Sequence, residues 1–453
     1  MNILTDDIKI LVKKLAIPAS VGTLFQTLYN IVDTFYAGKL SPEALSALSK
    51  SFPIYFIIVA TSIGVTVAGT SLIGNSIGEK NEKKASYFFT HIIYYAILIS
   101  IFITCIGLYF SEKVFYLMGS NEEITNLGLQ YTDIMFYGSF LFFIVVALNS
   151  LLHAEGDTKT YRNVLVLSFL LNIILNPILI WGFLFIPAMG MTGIGLSTII
   201  AQLIAFLIIT FKVTQNSRVK QITNKFFVIK LVYFKYIFFQ SMPISIAICG
   251  YAVAAALIFT YIGLTGELAV AGYGAATRIE QVVLLPILGI NTAIITIIAQ
   301  NYGANQFTRV KDTYYTSIKY GIVIMILSGI LVYLTADIIP KFFSNNIDVI
   351  NYGSRYLKIA AFIIPAYPIF FLSNGFFMGL KKSEYAMINN IFRNILVPIC
   401  VFYLAKYLSV DYDTFFWLWF IFQWSISILL LAFVAYYIER RLDKSSTIVN
   451  PQP

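Results

Sequence analysis

Apolar runs of about twenty residues recur along almost the whole of this 453-residue chain, separated by short polar or charged punctuation. A run of that length crosses a hydrocarbon core of ~30 Å as an α-helix rising ~1.5 Å per residue. The pattern predicts twelve spanning helices, over residues 13–37, 45–74, 88–110, 130–153, 161–185, 191–213, 236–262, 269–299, 315–338, 355–379, 386–407 and 413–438. The expected fold class is therefore an all-α polytopic membrane protein.

The pattern also repeats. When the chain is laid against itself with Pro18 on Pro243, Gly38 falls on Gly263, Gly64 on Gly289 and Gly78 on Gly303. The same register aligns Lys84 with Arg309, Tyr131 with Tyr356 and Asn149 with Asn374. Six helices is an even number, so both copies enter the membrane in the same sense. They are expected to form two six-helix lobes related by a pseudo-two-fold axis along the membrane normal. The expected division is an N-terminal lobe over 1–213, a basic linker over 214–235, a C-terminal lobe over 236–440 and a tail over 441–453.

Composition agrees: 58% of residues are hydrophobic, 12% are charged, and mean hydropathy is +0.80. The net charge of +9 does not call for nucleic acid, because in such a chain Lys and Arg report orientation. They gather in alternate loops, at Lys80, Lys83 and Lys84, at Lys159 and Arg162, through the linker, at Lys381 and Lys382, and at Arg440, Arg441 and Lys444. This places both termini in the cytoplasm of a prokaryotic inner (plasma) membrane. Met1–Lys14 is polar and runs straight into a full-length span, unlike a cleavable leader. Cys105, Cys249 and Cys400 lie in separate apolar runs and read as packing residues, with neither a disulfide nor a zinc site implied.

Against that background one charge stands out. Asp33 is the lone acid in an uncharged stretch from Leu15 to Gly38, and an ionised side chain at that depth is unfavourable by roughly 2.5–3.5 kcal/mol. Gln26, Tyr29, Asn30 and Asp33 are spaced i, i+3, i+4, i+7 and share one helix face, which must turn toward protein or water. Asn172 and Asn176 form an i, i+4 pair, and Pro177 lacks the amide that would bond the Ile173 carbonyl, freeing it for another partner. Thr198 and Gln202 form a further pair. Carboxylate, amide and hydroxyl oxygens suit a hard cation such as Na⁺; a proton needs only the acid. In the second half the only deeply placed charges expected are Arg278 and Glu280, with a structural or gating role. Ion coupling is therefore assigned to the N-terminal half, and the interior of the second is expected to be mostly apolar and aromatic. His91 and His153 read as membrane-edge residues.

These residues carry a resemblance. Ile17-Pro18, Leu28-Tyr29-Asn30-Ile31-Val32-Asp33-Thr34, Gly78, Asn172-Ile173-Ile174-Leu175-Asn176-Pro177 and Thr277-Arg278-Ile279-Glu280-Gln281 together resemble the multidrug and toxic compound extrusion transporters across nearly the entire chain. Within that family the chain is similar to the DinF-like and archaeal branch. The resemblance implies an antiporter exporting organic, cationic drugs or metabolites by alternating access in exchange for H⁺ or Na⁺. It implies that Asp33, Asn172, Asn176 and Thr198 form the cation site, and that the first helix bends at Pro18. The family often has Asp where this chain has Asn176, which removes one negative charge from the site.

No cofactor beyond the coupling ion is expected, nor any enzymatic activity: there is no His-rich cluster and no phosphate loop. The expected partners are a small organic substrate and the bilayer, with the chain acting as a monomer. The nearest rival function is a lipid-linked oligosaccharide flippase of the same superfamily, which would need a cationic groove for pyrophosphate.

Overall fold

The computed structural model describes residues 1–220 and 228–443. Lys225 of the expected linker and the tail from residue 444 lie outside the described residues. The helices of the first half are α1 (Ile8–Leu40), α2 (Pro42–Gly78), α3 (Glu82–Leu117), α4 (Glu122–Tyr137), α5 (Ser139–Ala154), α6 (Lys159–Trp181) and α7 (Gly190–Thr214), with the short α8 (Ser217–Lys220) after them. The second half has α9 (Leu231–Gly263), α10 (Glu267–Val283), α11 (Leu285–Gly303), α12 (Phe307–Thr335), α13 (Ile347–Ile363), α14 (Tyr367–Gly379), α15 (Ser383–Ile391), α16 (Val397–Leu408) and α17 (Tyr412–Tyr437). Among the described residues the only strand-like pairing is one bridge between Phe183 and Ile186.

Among the described residues ten helical tracts are long and apolar enough to cross a membrane, and eleven if α4 and α5, bent by 42° at Gly138, count as one. In chain order the helices fall into the twelve expected tracts, because the extra breaks interrupt spans without separating them. Leu284 caps α10, and α11 begins at Leu285 with Pro286 in its first turn. Pro365 produces a single 3₁₀ turn over Ile364–Ala366 between α13 and α14. Pro398 removes the amide that would bond the Asn394 carbonyl, and the helix widens just before it into a π-turn over Phe392–Leu396, with the Val397 amide bonded to the Phe392 carbonyl. The expectation that the fifth span is helical to residue 185 is corrected: α6 stops at Trp181, because Gly182 adopts φ 80 and turns the chain.

The helix starts follow from side-chain caps. Ser41, Asn81, Asn121, Asn346 and Asp411 each accept an amide of the first turn that has no partner within the helix. The backbone carries the duplication as well. The five non-glycine residues with left-handed φ among those described are Lys80, Leu184, Asn305, Lys381 and Ser409. In the register that sets Pro18 on Pro243, Lys80 falls on Asn305 and Leu184 on Ser409, while Lys381 falls on Gly156, which is itself left-handed. One turn geometry is thus used twice in each pair.

The chain packs as two units: Val21–Ser245, and Met1–Ser20 with Ile246–Pro453. Both borders lie inside helices, just after the repeat-related Pro18 and Pro243, rather than in the linker. In the first unit α2 packs on α3, α4 and α5, and α6 packs on α7. In this unit Arg218 of α8 pairs with Glu82 at the start of α3 and with Glu155 after α5. Burial opposes its charge, but the two carboxylates outweigh that and raise the guanidinium above its ordinary value. In the second unit α10 packs on α13, α11 on α12 and α14, and α13 on α17.

Candidate functional site

In the first unit α1, α6 and α7 bring four of the sequence-selected residues together. Asn172 and Asn176, one turn apart on α6, each donate Nδ2 to Asp33 Oδ1, at 2.8 and 2.9 Å. Thr198 Oγ1 of α7 lies 3.5 Å from Asp33 Oδ2. Asp33 is only 4% exposed and the two asparagines are fully buried. α7 reaches α6 this closely because Gly193 has no side chain: a Cβ there would stand 2.7 Å from the Leu179 carbonyl carbon and oxygen.

Ser197 belongs to the site although no sequence pattern singles it out. Its Oγ lies 2.7 Å from Asn176 Oδ1 and 2.8 Å from the Ile194 carbonyl, and Asn172 Nδ2 approaches it at 3.4 Å. Its place beside Thr198 on α7 is the only signal the sequence offers. Tyr55 and Tyr131, with ring centroids 5.7 Å apart, also stand within electrostatic reach of Asp33. The buried Tyr29 hydroxyl faces Thr198 and Asn172 without hydrogen-bond geometry, and Asn172 Oδ1 is likewise buried and unbonded.

Electrostatically the site is simple. Among the described residues Asp33 has no Lys, Arg or His partner; neutral donors alone hold it. Moving a carboxylate out of water is unfavourable by several kcal/mol, and each hydrogen bond to a charged group returns about 1.5–3 kcal/mol. The neutral donors thus offset part of the desolvation without neutralising the charge. Oδ2, approached only by Thr198, is the open side of the carboxylate, with Asn172 Oδ1 and the Tyr29 hydroxyl as further oxygens nearby.

Other expectations need correction. Gln26 and Asn30, on the same face of α1 as Tyr29 and Asp33, are exposed and stand outside the hydrogen-bond cluster around Asp33. The Ile173 carbonyl freed by Pro177 is not available as a ligand, since the Tyr36 hydroxyl bonds it at 3.2 Å. The three cysteines are exposed rather than packed inside. His91 is fully buried, its Nε2 accepting the Lys230 amide of the linker at 2.9 Å, and His153 is buried 3.2 Å from Asn149 Nδ2 one turn earlier on α5. Pro18 lies inside α1, and the helix continues on both sides of it.

The second unit also departs from the expectation of an apolar, aromatic interior. Arg278 is exposed. Glu280 accepts hydrogen bonds from the hydroxyls of Tyr356, at 2.7 Å, and Tyr367. The deep positive charge is instead Arg393, 7% exposed on the π-turn. It follows shortly after the Lys381-Lys382 loop, where helix boundaries are least certain, so its depth is not legible from the sequence.

Comparison with known proteins shows the family. The MatE family model matches residues 18–178 and again 243–404, two copies that start on the repeat-related Pro18 and Pro243. The chain belongs to the MatE family. Similar proteins include the FAD transporter of Shewanella oneidensis, 26% identical over 76% of each chain, and the multidrug export protein MepA of Staphylococcus aureus, 24% identical over 85% of this chain and 84% of its own. Solved structures of the same fold include an outward-facing multidrug resistance MATE transporter, with TM-score 0.90, 24% identity and coverage of 96% and 97%. Another is a MATE in the bent conformation, with TM-score 0.91, 24% identity and 98% of both chains covered. This chain is accordingly a multi-pass membrane transporter of small molecules built on the twelve-helix MATE fold.

Proposed function

We propose that this MatE-family chain is an antiporter that exports small organic, cationic drugs or metabolites by alternating access, coupled to H⁺ or Na⁺ bound at Asp33. One observation carries the reading: a buried carboxylate held only by Asn172, Asn176 and Thr198, with no permanent basic partner among the described residues. A structural acid is normally neutralised by Lys or Arg; one left to neutral donors is suited to exchanging a cation. The names of relatives such as the multidrug export protein MepA support export of small organic molecules.

In this mechanism the ion and the substrate compete. Loading Asp33 from outside favours the state that has released substrate, and the ion shifts the balance only by its difference in affinity between the two states. A single charge crossing 100 mV supplies roughly 2.3 kcal/mol, enough for about a fiftyfold gradient. The protein works as a monomer in a prokaryotic plasma membrane with both termini cytoplasmic.

The test is efflux from proteoliposomes with pH and Na⁺ gradients imposed separately. The wild type is expected to respond to one of them, and Asp33→Asn to neither, while its melting temperature stays within roughly 3 °C. Wild-type efflux by Asp33→Asn under an ion gradient would end the proposal.

A further inference from the structure

Arg393 is the feature of the second unit that the coupling reading leaves unused. Its side chain is more than nine-tenths buried, and among the described residues no carboxylate pairs with it. The guanidinium lies over the Phe370 ring at 3.9 Å from the centroid, and its Nε donates to Gln423 Oε1 at 2.6 Å. The Tyr251 hydroxyl is the other polar partner beside it. An arginine carries five N–H donors. Gln423 takes one and a single phenol oxygen accepts at most two, so donors remain over, on a full positive charge in a membrane interior.

The acid beside Tyr367 does not fill that gap. Glu280 is committed to the Tyr356 and Tyr367 hydroxyls, with the Tyr367 ring between it and Arg393. The backbone adds a further sign: Arg393 sits on the π-turn produced ahead of Pro398, and such turns concentrate at functional sites because they re-aim a side chain out of helical register. The internal repeat gives a parallel. Tyr131 and Thr198 flank Asp33 in the first unit, and their counterparts in the second copy, Tyr356 and Gln423, belong to the Glu280 and Arg393 cluster. The same frame holds an acid among neutral donors in one half and adds a guanidinium in the other.

We infer that Arg393 is the centre of a second binding site, one that takes the carboxylate or phosphate of an organic anion whose aromatic portion lies against the rings of Tyr367 and Phe371. Guanidinium meets such groups through paired N–H donors, and an already stacked, buried fork loses little freedom on binding. The inference goes beyond ion coupling at Asp33 and does not rest on it, since binding is read without any gradient.

The experiment uses the full-length protein purified in a phosphate-free maltoside detergent. Affinities for 1-naphthyl phosphate, 2-naphthoate and the neutral 2-naphthalenemethanol are measured by calorimetry and by thermal shift. Wild type is expected to prefer the two anions over the alcohol by about tenfold or more, and Arg393→Gln to lose that preference while holding the alcohol within about threefold. Arg393→Lys, which keeps the charge and loses the fork, is expected to fall between them, and it carries the test if the Gln variant does not fold. Phosphatidylglycerol is then added to wild type. Competition with the anionic probes assigns the site to a lipid headgroup, and its absence to a soluble anion; either is consistent with the inference. A wild type with no preference for the anions, or an Arg393→Gln variant that keeps the preference, overturns it.

Discussion

Around Asp33 the decisive contribution of each side chain is a single proton donor. Asn172 and Asn176 were legible in the sequence because amides one turn apart ahead of a proline stand out in an apolar helix. Ser197 was not, because a serine in a spanning helix usually bonds its own backbone, and here the Ile194 carbonyl and Asn176 Oδ1 share its single hydroxyl proton. Its second role orients the Asn176 amide: with Oδ1 engaged by Ser197, Nδ2 must face Asp33. Ser197→Ala should leave Asn176 Oδ1 buried without a partner, a loss of about 1–3 kcal/mol. A fall in melting temperature together with weaker ion-coupled efflux is the expected result, and Ser197→Thr should restore both. An unchanged melting temperature for the alanine variant would show that Asn176 holds its orientation without help.

Among the elements, the tight seam between α6 and α7 matters most, since those two helices carry the Asn172, Asn176 and Thr198 donors to Asp33. The seam depends on Gly193 lying against the Leu179 carbonyl, where the obstacle is backbone and has no rotamer to yield. Gly193→Ala is therefore expected to push the helices apart by several tenths of an ångström, lower the melting temperature by several degrees and reduce efflux more than Ser197→Ala does. Size exclusion and thermal unfolding check the first two, and the proteoliposome assay the third. Existence and order of the helices were legible from hydropathy alone. Their interruptions were less so: a proline two residues into a helix reads as an ordinary start, whereas Pro365 and Pro398 lie within apolar runs and only the folded chain reveals whether the result is a 3₁₀ turn or a π-turn.

Across the whole molecule the duplication was plain in the sequence, since paired glycines and prolines survive where backbones turn or touch. What pattern could not supply was the membership of the first twenty residues. They belong to the unit that otherwise starts at Ile246, and Arg309 holds them there by donating to the Ile3 and Asp6 carbonyls at 3.1 and 2.8 Å. Arg309→Ala should free this segment, so limited proteolysis of the variant is expected to trim the first residues several times faster than in wild type, with the remaining chain resistant. Equal trimming would show that packing of Leu11 and Leu15 suffices.

That membership has a consequence for biogenesis. As the nascent chain leaves the ribosome, the opening stretch of α1 must wait until synthesis has passed Ile246 before the helices it packs against exist. The first half therefore cannot mature as a finished module ahead of the second, and a gene cut in the basic linker would yield two fragments, each lacking a helix end that the other carries.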